Sequence, residues 1–191
     1  ICLDNLSTGS LKNISHLQKR PGFEFINHDI LLDLPSVKAH RIYNLASPAS
    51  PKAYTENQLV SLKTSTLGLS KVLDYAVKNE CRVLQASTSE VYGEPLQHPQ
   101  KESDFGNVNP VGPRSCYSEA KRCAETFLKT YETELGLDIR IARIFNTYGP
   151  RMSDQDGRVL INFMVHSLSG GELRIYGDGK QTRSFCYVDD M

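Results

Sequence analysis

The sequence predicts an α/β fold on two observations. Short β-branched runs alternate with longer segments whose apolar residues recur at helical spacing, and the order strand, helix, strand repeats along the chain. That rhythm favours a parallel sheet covered on both faces. The strands are read at Phe23-Glu24-Phe25-Ile26, Arg41-Ile42-Tyr43-Asn44-Leu45, Arg82-Val83-Leu84-Gln85-Ala86 and Ile139 to Ile144. Between the second and third, Leu62, Leu69, Val72, Leu73, Ala76 and Val77 form one apolar helical face. Between the third and fourth, Ala120, Cys123, Ala124, Phe127, Leu128 and Tyr131 repeat that period. Ile1 to Asp4 reads as the end of a strand that begins outside the sequence, and Ser184 to Asp190 begins another strand-like stretch. Pro95 to Pro113 is a long excursion in a position common for substrate-contacting loops.

Composition narrows the function. A chain of 191 residues can bury a substantial core as one domain. Its 22 Lys and Arg balance 22 Asp and Glu, so no excess positive field points to nucleic acid or a membrane surface. No apolar run approaches the roughly 20 residues of a membrane span, and no signal-peptide pattern is present. The five cysteines, Cys2, Cys81, Cys116, Cys123 and Cys186, make no Cys-x-x-Cys pair and no zinc-like cluster. The expectation is therefore no metal, reduced thiols and a cytoplasmic protein.

The pattern that points to chemistry is Tyr117-Ser118-Glu119-Ala120-Lys121. Residues four apart on a helix share a face, so phenol and ammonium can enter one cleft. A neighbouring Lys⁺ favours the phenolate and is expected to lower the tyrosine pKa towards that of a general base. Alone the pattern is weak, because surface helices produce it by chance. Here it follows a strand ending in Ala86-Ser87-Thr88-Ser89-Glu90-Val91-Tyr92-Gly93, and open α/β sheets bind ligands at the carboxyl ends of their strands.

These motifs, in this order and spacing, resemble the extended short-chain dehydrogenases/reductases of the nucleotide-sugar epimerase and dehydratase group over essentially the whole chain. The resemblance implies a Rossmann-like doubly wound parallel sheet truncated at both ends, NAD as cofactor, a UDP-sugar as substrate and a homodimer formed through the Tyr117 helix and the Leu59–Val77 helix. Residues 1–150 would be an NAD-binding domain lacking its first βα unit, and residues 151–191 the start of a small C-terminal substrate-binding region. Thr88 would hydrogen-bond the sugar 4-hydroxyl, Tyr117 would remove its proton, and Lys121 would hold the nicotinamide ribose and tune the tyrosine. Asp4, Asn5, Ser7, Thr8 and Gly9 resemble the strand end that meets the adenosine ribose, where an acid favours NAD over NADP. Asp29 and Ile30 resemble the adenine-edge contact, and Leu45, Ala46 and Ser47 the strand beside the cofactor phosphates. Thr64, Ala86 and Thr147 complete the cofactor set. On the substrate side the resemblance implies Lys63, Ser89, Asn146, Arg158 and Arg183, the last two as phosphate partners. Taken singly, Asp4 reads as a turn residue and Arg158 as a solvated charge.

In the resemblance, the glycine-rich phosphate loop lies upstream of Asp4, and the sequence has none. This polypeptide alone is therefore expected to bind NAD poorly. The residues after Thr88 point to the reaction. Dehydratases of this group carry Asp-Glu there; Ser89-Glu90 instead resembles UDP-glucuronate decarboxylases, as do Leu45 to Pro51, Val108 to Arg114 and Gly149 to Met152. The implied reaction is NAD-dependent decarboxylation of UDP-glucuronate to UDP-xylose through a 4-keto intermediate. Glu90 would orient the substrate or assist proton movement at C5. The alternatives are a 4,6-dehydratase, a 4-epimerase, or a non-catalytic fragment.

Overall fold

Every strand pair is parallel in the computed structural model, which describes all 191 residues. β1 (Cys2–Asp4) pairs with β2 (Phe25–Asn27); β3 (Arg41–Asn44), β4 (Arg82–Thr88) and β5 (Ile139–Ile144) form a second sheet in that order; β6 (Asn146–Tyr148) pairs with β7 (Phe185–Tyr187). The α/β fold class read from the sequence is observed. The strands fall into three short sheets where the sequence suggested one, and β1 and β3 face each other across an open cleft.

The helices are α1 (Pro51–Glu56), α2 (Gln58–Lys63), α3 (Leu69–Lys78), α4 (Ser115–Leu135) and α5 (Val159–Ser169). Ser50 starts α1: its hydroxyl accepts the Ala53 N–H at 3.2 Å, and Pro51 follows in the first helical position, where its missing N–H costs nothing. The single helix read over Leu62 to Val77 is α2 and α3 joined by a π-helical turn at Thr64–Gly68. Turns of this kind are frequent at functional sites, and this one places Thr64 on the wall of the cleft. No helix is long and apolar enough to cross a membrane.

Leu69, Leu73 and Ala76 of α3 and Ala124 and Leu128 of α4 close over Cys81, Val83, Leu137 and Ile139 to form the core. Their i, i+4, i+7 spacing is the buried stripe that fixes both helices on the sheet. Both lie on the face that carries Val83 and Ile139. Tyr43, whose side chain alternates to the opposite face, is 62% exposed. The sequence suggested cover on both faces from the alternation of strand and helix; within this chain, α3 and α4 share one.

After β4, a short 3₁₀ turn (Ser89–Tyr92) ends at Gly93, whose φ of +64° is left-handed. A Cβ there would sit 2.0 Å from the Asn107 carbonyl oxygen, so the close return of the loop requires glycine. The loop is held down by Arg122, whose Nη1 donates to the carbonyls of Val91 (2.9 Å) and Phe105 (2.5 Å), and by Arg143, whose Nη1 donates to Glu102 O (3.0 Å).

Candidate active site

The long helix α4 sets the site by laying one face of side chains against the end of β4. Tyr117 and Lys121 are both buried, as is Thr88. Lys121 Nζ lies 5.9 Å from the centre of the Tyr117 ring and donates to Ala86 O at 2.8 Å. The Thr88 hydroxyl faces the Tyr117 phenol closely enough to favour the phenolate, and accepts the Glu90 N–H at 3.2 Å. Phenol, ammonium and strand-end hydroxyl therefore converge.

The electrostatics differ from the sequence expectation. Tyr117 has its pKa raised, because burial penalises the phenolate; Thr88 and Arg158 oppose this, while Glu90 and Tyr54 add to it. Burial also pulls Lys121 down to about 8. The expected lowering of Tyr117 by Lys121 is not seen: the groups that favour the phenolate are Thr88 and Arg158, and burial outweighs them.

Two further residues at this site, Tyr54 and Arg114, are not singled out from the sequence, although Arg114 closes the Val108 to Arg114 stretch. The Tyr54 ring stacks on Tyr117 with centroids 4.8 Å apart and planes 8° from parallel. Arg114 donates from Nε to Tyr54 Oη (2.8 Å) and from Nη2 to Glu90 Oε1 (2.7 Å). Tyr54 precedes Arg114 by 60 positions, so only tertiary folding brings them together. The one local signal was an aromatic residue just inside a Ser-Pro helix start.

Behind the site, Glu125 lies one helical turn beyond Lys121 on the same helix. Its carboxylate accepts from Ser87 Oγ (2.5 Å) and is held by Arg143 Nη2 (2.8 Å) and Nε (3.0 Å); Arg143 also donates to Tyr92 Oη (3.0 Å). Glu125 raises the pKa of Arg143, locking in its charge. Arg143→Met would strand the carboxylate, and we expect a loss of about 2–3 kcal/mol, below the ~3–5 kcal/mol of a fully buried pair because part of the arginine remains in water. Urea unfolding of the two proteins measures this; a change below about 0.5 kcal/mol would contradict the assignment.

The residues read as cofactor contacts line the cleft between β1 and β3, which encloses about 690 Å³. Asp4, Asn5, Ser7, Thr8, Gly9, Asp29, Ile30, Leu45, Ala46, Ser47 and Thr64 all contribute to its wall. Asp4 Oδ1 accepts the Leu6 N–H (2.6 Å), and Asp29 accepts from Asn5 Nδ2 (3.0 Å) and the Leu31 N–H (2.9 Å). A Cβ on Gly9 would come within 3.2 Å of Asp4 Oδ1, so the glycine keeps the carboxylate uncrowded. Ser47 Oγ bonds Ser65 Oγ (3.0 Å) across the π turn. Three buried polar side-chain atoms have no protein partner: His28 Nε2 on this cleft, Ser61 Oγ on α2 and Thr147 Oγ1 on β6.

The substrate-side residues are less gathered. Arg158 precedes α5, forms a two-point ion pair with the buried Asp156 (2.5 and 2.7 Å), and is close enough to Tyr117 and Tyr54 to bear on their charge. It faces the site. Ser89 is half-buried beside Thr88. Asn146 Nδ2 donates to Ser184 O (2.9 Å), tying β6 to the segment before β7. Lys63 and Arg183 are exposed, and Arg183 Nη1 donates to the carbonyl of its neighbour Thr182 (2.8 Å). In this chain, neither reaches the Tyr117 cluster.

The profile of the NAD dependent epimerase/dehydratase family matches residues 1–191. The chain belongs to that family. Among its members, UDP-glucuronic acid decarboxylase 1 and decarboxylase 3 of Arabidopsis thaliana are 50% and 51% identical over all 191 residues, and UDP-glucuronic acid decarboxylase 1 of Xenopus tropicalis is 49% identical over 189. The chain covers 44%, 56% and 45% of those proteins respectively, so it spans about half the length of the curated relatives it matches. Among solved structures of this family's fold, a UDP-glucose 4-epimerase from Thermotoga maritima superposes with a TM-score of 0.86 at 26% identity, covering 98% of this chain and 60% of its own. A dTDP-glucose 4,6-dehydratase from Streptomyces venezuelae, solved with NAD, superposes with a TM-score of 0.85 at 28% identity, covering 98% and 58%. The chain shares the Rossmann-like architecture of these structures.

Proposed function

We propose that this chain is part of an NAD-dependent UDP-glucuronate decarboxylase that forms UDP-xylose. The observation that carries this reading is the convergence of Thr88, Tyr117 and Lys121 with Glu90, in a chain about half identical to such decarboxylases along its full length.

The cleft suits the adenosine half of NAD. Asp4 offers a carboxylate to a ribose diol and repels a 2′-phosphate, Asp29 and Ile30 offer an acceptor and a backbone edge to adenine, and Leu45, Ala46, Ser47 and Thr64 continue the wall towards β4. Ala86, Thr147 and Lys121 would hold the nicotinamide end. NAD held there would supply a hydride acceptor for C4 of the sugar and, once reduced, the donor for its return. Tyr117 accepts the 4-hydroxyl proton as that hydride leaves, and Thr88 donates a hydrogen bond to the same oxygen. The resulting 4-keto uronate is a β-keto acid. Its C5–C6 bond breaks with loss of CO₂, and the electron pair passes into an enolate whose oxygen Thr88 and the now neutral Tyr117 stabilise. C5 then takes a proton that comes from water, and Glu90, the carboxylate that bears on Tyr117, would orient the substrate or assist that transfer. On return of the hydride, Tyr117 gives its proton back to the 4-oxygen. We assign Lys63, Ser89, Asn146, Arg158 and Arg183 to the nucleotide-sugar side, residues 1–150 to cofactor binding, and residues 151–191 to the start of a substrate region.

The apolar Leu59, Leu62 and Leu67, exposed on the α2–α3 helix beside α4, support a homodimer, which light scattering would report. Five free thiols fit a cytoplasmic setting. The function is tested by incubating the full-length protein with UDP-glucuronate and NAD and following CO₂ and UDP-xylose. Release of both in equal amounts is expected; turnover of a UDP-hexose without CO₂ would overturn the assignment.

A further inference from the structure

Arg114 occupies a place that needs explaining. It is the residue from which α4 starts, and its carbonyl accepts the N–H groups of Tyr117 (3.0 Å) and Ser118 (3.1 Å). A helix N-terminus carries partial positive charge, so a cation there is opposed by the helix itself. Acids and hydroxyls are the residues favoured at this end. Something must compensate for the guanidinium, and two groups do so.

Glu90 on the turn after β4 takes one N–H at 2.7 Å, and Tyr54 on α1 takes another at 2.8 Å. Tyr54 is 1% exposed and its ring is the floor on which the Tyr117 ring rests. One side chain thus joins three elements, α1, α4 and the end of β4, around the phenol. The planar fork of arginine suits this task, because it can donate in two fixed directions at once where a lysine ammonium has a single head.

We infer that Arg114 is a positioning residue of the reaction: through Tyr54 it fixes the tilt of the Tyr117 ring, and through Glu90 it neutralises the carboxylate nearest the phenol. The second role bears on when Tyr117 can act. Tyr117 is faced by Thr88 and Glu90 from the end of β4, by Tyr54 from α1, by Lys121 from α4 and by Arg158 from the segment before α5. Among these, Glu90 is the one carboxylate, and it opposes the phenolate. With Arg114 gone, its charge would act on the phenol without a partner, and a higher pH would be needed to form the base.

The inference rests on the decarboxylase reading for its substrate, and the experiment separates the two. Wild-type full-length protein is assayed first with UDP-glucuronate; failure to release CO₂ counts against the proposed function. The Arg114 variants are then compared using whichever nucleotide sugar the wild type turns over, by the pH dependence of kcat/KM. Arg114→Met is expected to lower kcat roughly 10- to 100-fold by misplacing the reacting groups, with KM within about threefold. Its acid limb should move up by about half a pH unit or more. Arg114→Lys should restore the limb but not the rate, since it keeps the charge and cannot serve both partners. Adding Glu90→Gln to Arg114→Met should bring the limb back as well, and that comparison remains available if the single variant folds poorly. An unmoved limb in Arg114→Met, or a limb that stays displaced in the double variant, would overturn the inference. So would a large rise in KM at constant kcat, which would make Arg114 a ligand contact instead.

Discussion

Tyr117→Phe in the full-length protein is expected to lower kcat by about 10²–10⁴-fold while leaving the fold and KM nearly unchanged. The substitution removes one oxygen. The ring, its stacking on Tyr54 and its place on α4 all remain, because those contacts are made by carbon atoms. What is lost is the group that takes the 4-hydroxyl proton, and no other base is placed to replace it: Lys121 is a cation bound to Ala86 O, and Glu90 is tied to Arg114. The same reasoning gives a pH dependence. Since burial holds the Tyr117 pKa above its ordinary value of 10.0, the free protein contains little phenolate at neutral pH, and kcat/KM should climb as pH rises through the neutral range. Residual activity within tenfold of the wild type, with the same climb, would exclude Tyr117 as the base.

Lys121→Met should have opposite effects on stability and on activity. The Lys121 ammonium is nearly out of water, and its pKa falls from 10.5 to about 8. A lysine with a lowered folded-state pKa binds its proton less tightly when folded than when unfolded. Between about pH 8 and 10.5 the unfolded chain therefore holds more protons, and stability from this group rises with pH across that window. Below pH 8 the whole penalty is present. Methionine fills similar space without the charge, so at pH 7 the variant should regain part of a cost on the order of 3 kcal/mol, less about 1 kcal/mol for the lost hydrogen bond to Ala86 O. We expect Lys121→Met to be about 1–2 kcal/mol more stable at pH 7, with the advantage fading above pH 8, and at least about 100-fold less active. Urea unfolding at pH 7 and pH 10 measures this. A variant less stable than the wild type at pH 7 would show that Lys121 is held by favourable interactions and not retained at a cost for its chemistry.

Much of this site was legible in the sequence, for identifiable reasons. The strand over Ile139–Ile144 and the Leu69, Val72, Leu73, Ala76 stripe follow from periodicity, and periodicity reports burial directly. Tyr117 and Lys121 were readable as a pair because helical spacing alone puts them on one face. Asp4, Asp29 and Ser47 converge on the cleft because each lies at or just beyond the end of a parallel strand, and parallel strands end together. What could not be read depends on contacts between distant segments or on solvation. Tyr54 and Arg114 meet only through packing of α1 on the start of α4. The π turn at Thr64–Gly68 leaves no mark in an apolar pattern that runs through it. The direction of the Tyr117 pKa was misjudged because sequence spacing shows the neighbouring charge but not the loss of water around the phenol. Arg183 illustrates the reverse: its motif is distinct, yet in this chain it lies exposed beside Thr182.

The central claim is that the base and hydride acceptor act together on C4 of the sugar and return what they remove. UDP-glucuronate deuterated at C4, given to the full-length protein in ordinary water, tests this through the isotope content of the product. Retention of the deuterium at C4 of UDP-xylose is predicted, with solvent hydrogen entering only at C5. Loss of the C4 label to solvent would contradict the account.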